Sequence, residues 1–183
     1  MTHEDEALIA EVLAFWREAG PARWFEKDEA FDEEFRRRFL DAHLSAARRE
    51  RDGWLATPDG ALALMVLLDQ FPRNAFRGTP HMYATDPLAR LLAGRAIAAG
   101  LYERIEPELR LFLYLPFSHS EDLADQRRAV DLGRRLGAEY EKHARGHHDI
   151  VARFGRFPHR NSLLCRETIS DEQVFLDRGG FAG

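Results

Sequence analysis

Cysteine is almost missing: Cys165 is the only one in 183 residues, so no internal disulfide can form and a reducing compartment is expected. Basic charge is not in excess. The 26 lysines and arginines stand against 31 aspartates and glutamates, a formal net charge of -5. That balance argues against a nucleic-acid partner and leaves room only for a local basic patch. Long apolar runs are absent too. No stretch approaches the ~18 uninterrupted apolar residues of a membrane span. The acidic start Met1-Thr2-His3-Glu4-Asp5-Glu6 lacks the basic and apolar character of a secretory leader. No membrane partner and a cytoplasmic location are therefore the expectation. No Ser/Gly/Pro-rich linker divides the chain. No strand-like alternation, P-loop, Gly-x-Gly-x-x-Gly or Gly-x-Ser-x-Gly elbow occurs, which removes the usual nucleotide and serine-nucleophile routes.

What is present is helical pattern. Hydrophobic residues at 45% and charged residues at 31% exclude global disorder, and the length suits one domain over residues 1–183. Leu8, Val12, Leu13, Phe15 and Trp16 recur at helical spacing behind a Thr2 cap, and Gly20-Pro21 stops that helix. Trp24 and Phe25 are expected to pack between helices. A second helix is read over residues 28–51 from Phe31, Phe35, Phe39, Ala42 and Ala46. Its arginines alternate with acids and read as a solvated face. Thr57-Pro58-Asp59 starts a helix that is apolar all round from Ala61 to Leu68 and should be the buried centre. Further helices are expected over residues 86–100, over 109–115 up to Pro116, as one long helix over 120–145, over 148–154, and from a capping box at residues 170–173 to Gly179-Gly180. This gives an all-α fold of about eight helices in antiparallel pairs.

Two runs stand out. Asp69-Gln70-Phe71-Pro72-Arg73-Asn74, followed by Arg77, is echoed by Phe154-Gly155-Arg156-Phe157-Pro158-His159-Arg160-Asn161. Each leaves an apolar helix through Phe-Pro and offers arginine and asparagine, which are costly to fix in partly buried places unless they bind something. From His143 to Arg166 there are five arginines and four histidines against one acid, Asp149, in an otherwise acidic chain. Asp69, Gln70, Arg73, Asn74, Arg77, Arg156, His159, Arg160, Asn161 and Arg166 are therefore the candidate ligand-binding residues, with arginine forks suited to a carboxylate or phosphate. The competing reading is structural: the same side chains can satisfy helix-end carbonyls and internal carboxylates such as Asp69, Asp86 and Glu121. Both readings stay open.

For chemistry, His119 with Glu121, His147 with Asp149, and His159 supply the residue types of a base and its orienting carboxylate. No catalytic residue can be assigned from the sequence. The same groups hold metal-ligating atoms, but neither His119-Ser120-Glu121 nor His147-His148-Asp149 has helical ligand spacing, so no metal and no cofactor is expected. Cys165 beside Arg166 is a lone thiol.

Several of these runs, in order, resemble the DUF924 family of uncharacterised bacterial proteins. They are residues 68–74, Arg77-Gly78-Thr79, Ala84-Thr85-Asp86, Phe112 to Phe117, His119-Ser120-Glu121, His147, Asp149, Phe154 to Asn161, and Arg166. The resemblance implies a helical fold similar to tetratricopeptide-type α/α superhelices, closed into one compact domain, and no established activity. Ser118 stands where the family more often has methionine, and Cys165 where it usually has glycine. The expected function is either a polar site for a small anionic ligand or peptide terminus, or a helical-repeat-like module that takes a protein segment. The sequence does not fix the oligomeric state.

Overall fold

Thr2 opens the first helix in the computed structural model, which describes residues 1–181. Its hydroxyl accepts the Asp5 N–H at 3.1 Å and the Asp5 carboxylate accepts the Thr2 N–H at 2.9 Å, a reciprocal cap. Helix α1 spans His3–Trp24, with a break at Gly20 before Pro21 starts its last turn. Helix α2, Glu29–Ala47, is capped by Asp28. It ends four residues short of the expected Arg51. Arg49 takes the left-handed conformation (φ 66°) and the Glu50 N–H closes on the Ser45 carbonyl at 3.0 Å, a helix-terminating geometry usually given to glycine.

The described residues form two compact units: Met1–Arg77 with His81–Pro116, and Gly78–Pro80 with the chain from Phe117 onward. The core of the first unit is aromatic. Phe15 stacks on Phe31 and Phe35, Trp16 meets Phe112 edge-on at 5.4 Å, and Phe35 meets Phe71 at 5.0 Å. Burying each such ring contributes roughly 1.5–3 kcal/mol. Trp24 joins this core and donates its indole N–H to the Trp16 carbonyl at 2.7 Å. Phe25, expected inside, is 63% exposed.

The run of residues 58–75 is the buried centre that its apolar composition predicts, with every residue from Ala61 to Leu68 at 0–1% exposure. It is made of α3 (Pro58–Met65), a π-helical turn (Val66–Gln70) and α4 (Phe71–Ala75). Helix α5 (Asp86–Ala98) follows, and α6 (Leu111–Ser118) leads into the second unit. Pro116 does not stop α6. The missing proline N–H removes one helical bond, and the chain stays helical for two more residues.

In the second unit the single long helix expected from Ser120 is two: α7 (Leu123–Leu136) and α8 (Ala138–Phe154), packed against each other. The cap is Asp122, whose carboxylate accepts the Ala124 and Asp125 N–H groups, while Ser120 donates to Asp125 at 2.8 Å. Gly137 makes the joint with φ 135°, ψ 169°, a region open only to glycine. Gly133 lets the helices close up, because a Cβ there would stand 2.9 Å from the Tyr140 carbonyl oxygen. Helix α9 (Ser170–Asp177) starts one residue off the expected box: the Glu172 carboxylate accepts the Ile169 N–H at 3.0 Å, and isoleucine has nothing to return. With residues 58–75 taken as one run, the described residues carry eight helices and no strand. No described helix is long and apolar enough to cross a membrane.

Candidate functional site

The Asp69–Arg77 motif is built around the π turn. There the Phe71 N–H reaches back to the Val66 carbonyl, so the Leu67 carbonyl loses its helical donor. Pro72 has no N–H for the Leu68 carbonyl. Both carbonyls are buried, and a buried carbonyl needs a donor. His43 Nδ1–H supplies the first at 2.9 Å and Thr85 Oγ1–H the second at 2.6 Å. Arg73 then donates to the Asp69 carbonyl at 2.6 Å and forks onto both carboxylate oxygens of Asp86 at 2.8 and 2.9 Å. Burial alone would lower the Arg73 pKa, but Asp69 and Asp86 outweigh it and hold the guanidinium charged. Asn74 and Arg77 both reach Asp32 on α2, at 2.7 and 2.8 Å. Gln70 donates to Asp69. Each of these polar side chains engages a group of its own unit, and together they tie α2, α4 and α5.

The second motif divides. Arg156 forks onto Glu172 at 2.6 and 2.8 Å and also donates to the Glu167 carbonyl. Asn161 donates to the same carboxylate at 3.1 Å. Glu172 is 1% exposed. The Arg156 bonds, helped by the Ile169 N–H and Asn161, pull its pKa down to about 2 despite burial. Arg166 donates to Glu121 at 2.8 Å, and the Phe157 N–H meets the same oxygen at 2.9 Å. Burial alone would raise the Glu121 pKa; these donors and the nearby Arg160 bring it below the ordinary value.

What remains is a cluster of histidines with Arg160. His147 is buried and its Nδ1–H donates to the His143 carbonyl at 3.1 Å, which leaves Nε2 as the acceptor of a neutral ring. Burial, together with the charges of His119, His143 and Arg160, pushes its pKa down to about 3, although the His143 carbonyl favours the protonated form. The His147 ring lies 4.7 Å from that of His143 and 4.6 Å from Phe181. His159 lies 5.1 Å from Phe181, and the Arg160 guanidinium carbon stands 4.6 Å over the Phe157 ring. Exposed Asp149 pairs with half-buried His148 rather than with His147. Gln126, wholly buried, donates to the carbonyls of Ser118 and Ser120 on either side of His119. Ser118 Oγ, Gln126 Oε1 and Asn161 Oδ1 are buried with no hydrogen-bond partner. Among the described residues no three His, Cys, Asp or Glu side chains are placed to share a metal ion.

Asp32, His43, Thr85 and Glu172 escape sequence reasoning because each meets its partner across a fold-back, and Gln126 because it turns back on the carbonyls just before its own helix. One local signal existed: Pro72 one turn after Leu68 leaves an orphan carbonyl that needs an outside donor.

The model of a family of bacterial proteins of unknown function, DUF924, matches residues 12–180. No curated protein matches the chain. A solved structure of a protein of unknown function from Agrobacterium tumefaciens is 59% identical in sequence and superposes with a TM-score of 0.93, over 95% of this chain and 99% of that one. This chain belongs to the DUF924 family of bacterial proteins.

Proposed function

We propose that His119, His143, His147, His159 and Arg160 bind one small anionic group, a carboxylate or phosphate, carried by a small ligand or a peptide terminus. The observation that carries this reading is the buried neutral ring of His147 among cationic and titratable neighbours. The Glu121 carboxylate beside this cluster accepts from Arg166 and the Phe157 N–H and also feels the Arg160 charge. The cation of the cluster, the Arg160 guanidinium, is buried, and a buried cation favours an anion beside it. His147 Nε2 is an acceptor, as is Gln126 Oε1, which has no partner. The ligand is therefore expected to carry a hydroxyl or ammonium donor next to its anionic group. For Asp69, Gln70, Arg73, Asn74, Arg77, Arg156, Asn161 and Arg166 the internal carboxylates and carbonyls they meet support a structural role.

A thermal-shift panel of glycolate, citrate, glycine and inorganic phosphate tests the proposal on the wild type, with calorimetry on Arg160→Lys and His159→Ala. Binding to the wild type that weakens at least tenfold in both variants is expected. No stabilisation by any member of the panel would overturn the reading and favour a protein segment as the partner instead.

A further inference from the structure

The first unit holds a second histidine pair, independent of the cluster above. His43 is wholly buried and His81 exposed, and their Nε2 atoms face each other at 3.4 Å. The tautomer of His43 is fixed by the π turn: Nδ1–H is committed to the Leu67 carbonyl, so Nε2 presents its lone pair to His81. At 3.4 Å the separation is at the long end for a hydrogen bond from a His81 N–H to the His43 lone pair. It matches the bite of two imidazoles on a tetrahedral ion, about 3.3 Å for metal–nitrogen bonds of 2.0–2.1 Å. The carbonyl behind His43 is also what a ligating histidine ordinarily has at its other nitrogen. Phe71 stacks on His43 at 4.9 Å, and Phe76 lies 3.9 Å from the His81 ring. These contacts hold both rings in place.

We infer that His43 and His81 bind a zinc-type dication through their two facing Nε2 atoms, with the remaining positions open to water or a small ligand. The donor set is all nitrogen, and Arg36 stands 5.6 Å from the Phe76 ring centroid. That guanidinium works against any dication alike, so the choice of ion rests on the two imidazole nitrogens, which suit a borderline ion better than magnesium or calcium with their need for oxygen donors. With two protein ligands the site is weaker and more open than a structural zinc centre.

The test is a Zn(II) titration of the full chain followed by imidazole 15N NMR, repeated on His81→Ala, which removes an exposed side chain. One equivalent of Zn(II) should move the Nε2 signals of His43 and His81 together, and the variant should bind at least tenfold more weakly. Shifts confined to other histidines such as His148, or no shift, would overturn the inference. So would undiminished binding by the variant. The wild-type titration decides the matter even if the variant folds poorly.

Discussion

At Cys165 the backbone sits at φ 54°, where the Arg166 N–H closes on the Asn161 carbonyl at 2.8 Å. That is the left-handed position after a helical turn, which glycine occupies without strain and a side chain at a cost of about 1–2 kcal/mol. The resemblance to a family that usually has glycine there acquires a physical reason, and the thiol is incidental to it. Cys165→Gly should raise stability by about 0.5–1 kcal/mol after the extra freedom of glycine in the unfolded chain is subtracted, measurable as a higher urea midpoint. His147 makes the opposite kind of statement. Its folded pKa of about 3 lies below the ordinary histidine value near 6.5, so the unfolded chain binds more protons between the two. Stability is then complete above the ordinary value and falls as pH drops from there towards 3. His147→Phe should flatten that part of the pH–stability curve, read by urea denaturation at a series of pH values.

The elements show which parts of the sequence speak for themselves. Ala61 to Leu68 is apolar on every side and is the centre of its unit, since a helix with no polar face has nowhere else to go. Thr2 and Thr57 cap as their positions suggest, because capping is local. The α7–α8 joint was hidden: Gly133 and Gly137 read as small residues on one helix face, and only the fold-back reveals why they are small. Gly137→Ala should cost about 1–3 kcal/mol from its backbone conformation, and Gly133→Ala about 1–3 kcal/mol from crowding the Tyr140 backbone. Chemical denaturation of the two single variants checks this, with Gly146→Ala, a helical position that meets nothing within 4 Å and should gain about 0.5–1 kcal/mol, as the contrast. The π turn was hidden for a related reason. Its orphan carbonyls are implied by Pro72, but their donors, His43 and Thr85, come from other segments. Thr85→Val leaves the Leu68 carbonyl without that donor and should cost about 1–3 kcal/mol, in the same assay.

For the molecule as a whole, the arginine-rich motifs are fastened to buried or half-buried acids: Asp32 and Asp86 in one unit, half-buried Glu121 and buried Glu172 in the other. Glu172 has a folded pKa near 2 and Glu121 is also lowered. The stability they contribute is full above the ordinary glutamate value and is lost as pH falls towards 2. Acid unfolding should therefore steepen below about pH 4.5, after the earlier decline due to His147. Glu172→Ala should remove the lower step and cost about 3 kcal/mol at neutral pH, by comparing pH-dependent melting of the two proteins. The sequence marked both motifs as unusual because fixed arginine and asparagine need partners. It could not divide the candidate residues between fastening and binding, since that depends on which carboxylates arrive from elsewhere in the chain. Arg73, Arg77, Arg156 and Arg166 meet internal carboxylates, and the binding proposal concerns the histidines gathered around buried His147 and Arg160. The most direct measurement is imidazole 15N NMR of His147 during titration with glycolate or inorganic phosphate at neutral pH. The account predicts a saturable shift of His147 Nε2 and a rise in the His147 pKa from about 3 when the anion is bound. A His147 signal and titration unchanged by either anion at saturating concentration would contradict it.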